Sequence, residues 1–165
     1  KDDLFLSVRN INGIIHYRPS NNKIINYIQG KFFLQHDIDI ISDKEISIFN
    51  NNKNESLGED MHSEVIIYNF ETKTFSKKFN NEIVRENFET RTQGLSEILN
   101  DGSMLIEEQN HGRLIFFNNK GQKEWEFVNK DSKGNIYLIS WSRVIENGEL
   151  VSKLKNKILN TKCIN

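Results

Sequence analysis

The fold is decided by residues 65–79, which read VIIYNFETKTFSKKF. Two short runs of β-branched and aromatic residues flank a polar turn, a pattern typical of a β-hairpin. The pattern occurs twice more, as IIHYRPSNNKIINYI at residues 14–28 and LIFFNNKGQKEWEFV at residues 114–128. In all three copies the first run ends in an aromatic residue, and these aromatics lie about 50 residues apart. The chain therefore contains a repeat.

A second hairpin precedes two of the three copies. It reads HDIDIISDKEISIFNN at residues 36–51 and GLSEILNDGSMLIEEQ at residues 94–109. Only half a hairpin, DDLFLSVRN at residues 2–10, precedes the first copy. Four antiparallel strands with a period of about 40–50 residues are typical of a β-propeller blade. An all-β sandwich or meander whose hairpins are alike by chance is the alternative.

The predicted strands lie between turns rich in Asn, Asp, Gly and Ser. They are Leu4–Val8, Gly13–Tyr17, Lys23–Ile28, His36–Ile41, Glu45–Phe49, Glu64–Asn69, Thr74–Phe79, Gly94–Leu99, Ser103–Glu107, Arg113–Phe117, Lys123–Val128 and Tyr137–Val144. Helix is predicted only at Asn81–Asn87 and at Leu150–Leu159, where the apolar spacing is amphipathic.

Residues 1–165 are thus predicted to form one partial β-propeller domain of about three blades. An incomplete blade at residues 1–30 precedes full blades at 31–87 and 88–130, and residues 131–165 form a closing strand and a tail. Propellers need about four to eight blades to close. We therefore expect the remaining blades to come from the same longer chain or from a second copy.

Composition narrows the class of partner. The chain carries 22 basic and 23 acidic residues and a formal net charge of -1, without the basic stripe that a nucleic-acid partner requires. Apolar runs reach about six residues, far fewer than a membrane-spanning helix needs. The single cysteine, Cys163, excludes an intrachain disulfide, and the four histidines show no zinc spacing. No metal, nucleic-acid partner or membrane span is expected.

His36 is the candidate with the clearest position. It stands just before an alternating strand that the repeat places innermost in its blade, and innermost strands line the channel of a propeller. The imidazole would then lie near the channel mouth, where Asp37 or Asp39 could orient it. The alternative is a strand-edge histidine whose partners are backbone groups.

Four arginines lie at strand ends, close to one per blade. They are Arg9, Arg91, Arg113 and Arg143. Convergent guanidinium groups suit sulfate, phosphate or carboxylate, although most single arginines are solvated surface groups. The Asn50–Asn52 run could also donate to an anionic oxygen, or could simply form a turn.

In this order and spacing, the segments resemble the C-terminal half of the arylsulfotransferase propeller family over residues 2 to about 146. The family's S-x-R-[HN] strand end is similar to residues 7–10, which read SVRN. Its Q-H-[DT] strand start is similar to residues 35–37, which read QHD. Its F-D-N-G strand end is similar to residues 49–52, which read FNNN, and its closing-strand arginine falls on Arg143.

The resemblance implies a six-bladed propeller that moves a sulfuryl group from an aryl sulfate to a phenol through a sulfohistidine. His36 would be the nucleophile, Arg9, Asn51 and Arg143 would bind the sulfuryl oxygens, and Arg113 is a further candidate. No nucleotide or other cofactor is implied. A family member of this kind is expected to be periplasmic or secreted.

Two residues depart from the family pattern. Asn10 stands where characterised bacterial members carry a second histidine, and Asn50 replaces the acid of F-D-N-G. An amide can donate a hydrogen bond but is neither acid nor base near pH 7, so Asn10 is expected to bind substrate only. The alternative function is a non-catalytic propeller that binds a small anion, a glycan or a protein.

Overall fold

The computed structural model describes residues 2–30, 32–53 and 62–161, and the regular structure in these ranges is mostly β. The strands are β1 (Leu4–Val8), β2 (Gly13–Arg18), β3 (Lys23–Gln29), β4 (Ile38–Ile40), β5 (Glu45–Asn50), β6 (Glu64–Asn69), β7 (Thr74–Lys77), β8 (Leu95–Ile98), β9 (Met104–Glu108), β10 (Arg113–Phe117) and β11 (Lys123–Val128). The α-helices are α1 (Asn80–Arg85) and α2 (Gly148–Leu159). Neither of these two helices is long and apolar enough to cross a membrane.

The strands form three antiparallel sheets, in the orders β1-β2-β3, β4-β5-β6-β7 and β8-β9-β10-β11. Each sheet is a meander of neighbouring strands, as in a propeller blade, and the predicted repeat is confirmed. β1 contacts β4 in the way that β5 contacts β8, so β1 corresponds to the second strand of the other two sheets, and no strand precedes it within the described residues. The described part of the chain forms no closed ring.

Matching pairs of the three sheets fix which residues are equivalent. The second strand of each blade ends against the third at the pairs Val8↔Gly13, Asn50↔Glu64 and Glu108↔Arg113. The residues that follow these strand ends are therefore equivalent: they are Arg9, Asn51 and Gln109. In the innermost strands the pairs Ile38↔Ile48 and Ser96↔Ile106 make His36 equivalent to Gly94.

Asparagine and glycine close the tight turns between strands. Asn12, Asn22 and Gly112 have φ of 48°, 53° and 59°, the left-handed region. Each follows a short 3-10 turn and donates its backbone N–H to the carbonyl three residues earlier, at 3.2 Å. Asparagine tolerates this region better than most residues, which gives part of the asparagine content a structural role.

The core lies between the sheets. One buried cluster packs the first sheet on the second, and it consists of Ile14, Ile28, Phe32, Ile46, Ile48 and Ile66. A second cluster packs the second sheet on the third and on α1, and it consists of Phe49, Val65, Ile83, Phe88, Met104, Ile106, Ile115 and Phe117. Strand β5 supplies both clusters because alternate residues point to opposite faces of a strand. Blade stacking is therefore the source of the hydrophobic stabilisation.

The structure corrects two predicted strands. Strand β4 begins at Ile38 rather than His36, although the His36 backbone N–H still donates to the Phe49 carbonyl at 2.9 Å. The predicted strand Tyr137–Val144 is wrong, since residues 137–144 form no strand. Carboxylates, rather than a neighbouring backbone, accept several of its N–H groups, so no ladder forms.

Both predicted helices are confirmed, with slightly different bounds. The second begins at Gly148 because the Asn147 side chain accepts the Leu150 N–H at 2.9 Å, an N-cap bond. Cys163 lies outside the described residues.

Candidate functional site

Several of the sequence candidates lie near one edge of the blade stack, where innermost strands begin and second strands end. Strand β4 contacts both β1 and β8. The start of β4 is therefore close to the turn after β1 and to the loop that leads into β8. This junction contains His36.

His36 is exposed, but neighbouring protein atoms still remove part of its water. Partial burial lowers the pKa of the imidazole, and the positive charge of Arg9 lowers the pKa further. A hydrogen bond to the Gly94 backbone opposes both effects. The net pKa lies below the usual value of 6.5, so His36 is mostly neutral at pH 7.

The backbone conformation and the close packing at position 94 both require glycine. Its φ is +88°, and a Cβ built there would lie 2.6 Å from Cε1 of Phe49 and 2.8 Å from Cγ2 of Thr90. The absence of a side chain lets the backbone pack against the Phe49 ring and reach the imidazole. The bond raises the pKa of His36, as expected for a ring N–H that donates to a carbonyl.

Arg9 lies in the 3-10 turn that follows β1 and is partly buried. One of its terminal nitrogens, Nη2, donates to the Arg91 carbonyl at 3.3 Å. The guanidinium is thus bonded to the loop that precedes β8, and its charge acts on His36. The next residue, Asn10, is exposed.

Asn51 is fully buried, and its side-chain amide forms hydrogen bonds with backbone carbonyls. Nδ2 donates to the carbonyls of Thr90 and Gln93, at 3.0 and 2.7 Å. These two bonds fix residues 90–93 directly before Gly94. Asn51 therefore positions the hydrogen-bond partner of His36.

Asn50 also forms hydrogen bonds with backbone groups, in the loop that precedes His36. Its Oδ1 accepts the backbone N–H of Phe33 at 2.9 Å and of Asn52 at 3.1 Å. Its Nδ2 donates to the Glu64 carboxylate at 3.2 Å. A neutral amide can act as donor and acceptor here, which an ionised carboxylate could not. Both asparagines thus stabilise the loops on either side of His36.

Asp37 and Asp39 interact with the neighbouring blade and with Arg143. Asp37 Oδ2 accepts the Ser96 N–H at 3.4 Å, and Arg143 Nη2 lies 4.0 Å from Asp39 Oδ1. Burial raises the pKa of both carboxyls, and the charge of Arg143 opposes this in each case. Among the described residues, neither acid is hydrogen-bonded to the imidazole, and the pKa of the ring responds instead to burial, Arg9 and Gly94.

Arg113 is engaged elsewhere, on the third strand of its blade. Its Nε donates to Glu108 at 2.5 Å, and Nη2 donates to the Glu86 carbonyl at 3.1 Å. The guanidinium also lies over the Phe88 ring, 5.8 Å from its centroid. These contacts tie β10 to the end of α1 and place Arg113 away from the His36 junction.

A family model described as Arylsulfotransferase (ASST) matches residues 1–130. The chain belongs to the arylsulfotransferase family. The match includes all three sheets and the His36 junction, and Arg143 lies beyond it. No curated protein and no solved structure matches the chain.

This arylsulfotransferase chain also contains a cavity that the sequence did not indicate as a site. Its volume is about 540 Å³, and its lining includes Arg9, Lys53, Glu89, Arg91, Asn110 and His111. Lys53 and Glu89 form an ion pair. Arg9 belongs both to this cavity and to the surroundings of His36. The spacing of strand-end arginines indicated Arg9 and Arg91, whereas no motif indicated Lys53.

Proposed function

We propose that this chain transfers a sulfuryl group from an aryl sulfate to a phenol, with His36 as the covalent carrier. The family match supports an arylsulfotransferase-like function in general terms. The observation that carries the finer proposal is the position of His36 just before the innermost strand, where its backbone N–H donates to the Phe49 carbonyl at 2.9 Å and the charge of Arg9 helps to lower the pKa of the imidazole. A neutral imidazole, with a lone pair on one ring nitrogen, is the form in which histidine acts as a nucleophile.

In the first step the free ring nitrogen of His36 attacks the sulfur of the aryl sulfate. An N–S bond forms, the bond between sulfur and the aryl oxygen breaks, and the phenolate leaves with the electron pair. The imidazole now carries the sulfuryl group and a positive charge. Donation of its other N–H to the backbone of Gly94 stabilises that charge.

In the second step the oxygen of the acceptor phenol attacks the same sulfur. The N–S bond breaks, its electron pair returns to the imidazole, and the acceptor proton passes to water or to the phenolate released in the first step. The product is a new aryl sulfate, and His36 is neutral again. No redox change occurs, and no nucleotide is consumed.

Arg9 is the residue that we assign to the sulfuryl oxygens, because its charge already acts on His36. Charge stabilisation of the transferred group accounts for much of the catalysis in the related phosphoryl transfers. Asn51 acts as a positioning residue through residues 90–93. Arg143 adds positive charge along the innermost strands, where Asp39 partly offsets it.

Turnover of a chromogenic donor tests the proposal. The full-length protein should release 4-nitrophenol from 4-nitrophenyl sulfate when phenol is present as acceptor. His36→Ala should abolish the release without changing the thermal midpoint by more than a few degrees. His16→Gln is the matched control, because His16 pairs with Asp3 on the first sheet and should leave the rate unchanged.

An active His36→Ala protein would end the assignment of the nucleophile. Stabilisation of the wild-type protein by aryl sulfates without any release of phenol would instead favour the non-catalytic binding module.

A further inference from the structure

We propose that helix α2 binds the surface of an anionic lipid bilayer and lies in the plane of that surface. This contact goes beyond the proposed function and does not depend on the chemistry at His36. The family model matches residues 1–130, so α2 lies outside the match. Two features of the helix support the proposal: an exposed apolar stripe, and lysines that border the stripe.

One side of α2 is apolar and open to solvent. Four aliphatic residues recur at the spacing that places them on one side of a helix, and they form the apolar stripe of α2: Leu150, Val151, Leu154 and Ile158. The exposed fractions of Leu150, Leu154 and Ile158 are 45%, 36% and 70%. No residue of α2 is buried, so the stripe belongs to neither of the two core clusters. Transfer of this exposed surface from water to an apolar environment is favourable.

Lysines border the apolar stripe on both sides. Lys157 follows Leu150 by seven residues, which at 3.6 residues per turn places it beside one edge of the stripe. Lys155 follows Val151 by four residues and borders the other edge. From these positions the ammonium groups can reach lipid phosphates while the methylene groups lie along the apolar side. This is the arrangement of a helix that lies at a lipid interface.

The charge of α2 differs in sign from that of the whole chain. Three lysines and one glutamate give the helix a net charge of +2, whereas the chain has a formal net charge of -1. The glutamate is Glu149, which lies opposite the stripe and pairs with Lys153 at 2.7 Å. Attraction to an anionic surface is therefore a local property of α2 and does not follow from the overall charge.

Two features favour lipid over a protein partner. If two copies of α2 paired through their stripes, lysines would border the contact on both helices, and like charges at these positions oppose pairing. The stripe also contains only leucine, valine and isoleucine, without the aromatic anchors that dominate many protein interfaces. Aliphatic side chains suit the fluid boundary between headgroups and acyl chains.

Cosedimentation with lipid vesicles tests the proposal. The full-length protein is mixed at low salt with vesicles of phosphatidylcholine and phosphatidylserine in equal parts, or of phosphatidylcholine alone. Binding is expected only to the anionic vesicles, and added salt should weaken it. Replacing both bordering lysines, Lys155→Gln with Lys157→Gln, should weaken binding about 25-fold, at about fivefold for each lysine. Ile158→Ser should weaken it roughly tenfold, because serine removes apolar surface at a similar helix propensity.

A second pair of lysines supplies the matched control. Lys23 and Lys120 are exposed on the first and third blades, and replacing both with glutamine removes the same charge from the protein. This control should change the affinity by less than about twofold. Hydrogen exchange in residues 148–159 should slow when anionic vesicles are added, which locates the contact on α2.

Absence of binding to the anionic vesicles, or equal binding to both vesicle types, would overturn the proposal. An equal loss from the α2 lysine pair and from the blade lysine pair would also overturn it. A dimer that forms without lipid and dissociates on Ile158→Ser would assign the stripe to a second copy of the chain instead. None of these measurements uses an aryl sulfate, so their outcome is independent of turnover at His36.

Discussion

Replacement of Gly94 by alanine tests the packing that places the backbone beside His36. The added Cβ would lie 2.6 Å from Cε1 and 2.8 Å from Cζ of the Phe49 ring, and 2.8 Å from Cγ2 of Thr90. Phe49 is buried in the cluster between the second and third sheets, so its ring has little room to move. The Gly94 backbone, or the ring, must therefore shift.

Two costs contribute to the expected loss. A non-glycine residue at φ +88° costs about 1–2 kcal/mol, and overpacking a buried ring costs about 1–3 kcal/mol. The free energy of unfolding should fall by about 2–5 kcal/mol in total.

Gly134→Ala is the matched control. Gly134 has φ +86°, but nothing lies within 4 Å of the position its Cβ would take. It should lose only about 1–2 kcal/mol, from the backbone term. Alanine restricts the unfolded chain equally at both sites, so that effect cancels in the comparison. The difference of about 1–3 kcal/mol is the steric contribution at Gly94.

Urea unfolding, followed by tryptophan fluorescence, measures both variants. The account predicts a clearly lower midpoint for Gly94→Ala than for Gly134→Ala at an unchanged slope. It also predicts that displacement of the Gly94 backbone lowers the pKa of His36 further, because that hydrogen bond raises it. Equal midpoints for the two variants would refute the reasoning.

Four further predictions concern the residues around the junction and the segment that Glu107 orders. Asn51→Asp should cost about 2–4 kcal/mol in urea unfolding, because a buried carboxylate cannot donate to the two carbonyls that the amide now satisfies. Arg9→Gln should raise the pKa of His36 in an NMR titration, since the cation now lowers it; an unchanged pKa would argue against their proximity. The pKa of His36 in the folded protein lies below its value in the unfolded chain, so folding disfavours the protonated ring. The free energy of unfolding should therefore be unaffected by His36 above about pH 6.5 and should fall as the pH drops below that value. Glu107→Ala should accelerate hydrogen exchange in residues 141–144, because the buried carboxylate accepts two of their N–H groups, at 3.2 and 2.7 Å. Unchanged exchange there would show that Glu107 does not order the segment.

The strands of each blade were predictable because the residues that specify each hairpin are close together in the sequence. Alternating apolar residues and Asn or Gly turns specify each hairpin within about 15 residues of chain. The predicted strands Leu4–Val8, Glu64–Asn69, Arg113–Phe117 and Lys123–Val128 have the observed bounds. Residues 137–144 have the same local pattern but pair with no strand in the part of the chain that the structure describes. Carboxylates of the third blade accept three of their backbone N–H groups instead, and no sequence pattern indicates these bonds.

The site was predictable only in part, because its contacts are distant along the chain. Asn51 bonds to carbonyls 39 and 42 residues away, and a run of three asparagines indicates only a turn or a donor. Arg9 and Arg113 both follow the strand-end pattern, yet a nearby Glu108 pairs with Arg113. The cavity lining comes from three blades, so Lys53 could not be associated with Arg91 before the blades were stacked.

Mass spectrometry of the full-length protein tests the central claim most directly. The protein is mixed briefly with 4-nitrophenyl sulfate without an acceptor and then quenched at alkaline pH. The account predicts the mass of one SO₃ group on the peptide that contains His36, and loss of that mass when phenol is added before quenching. A protein that releases 4-nitrophenol with no such adduct, or with the adduct on another residue, would contradict it.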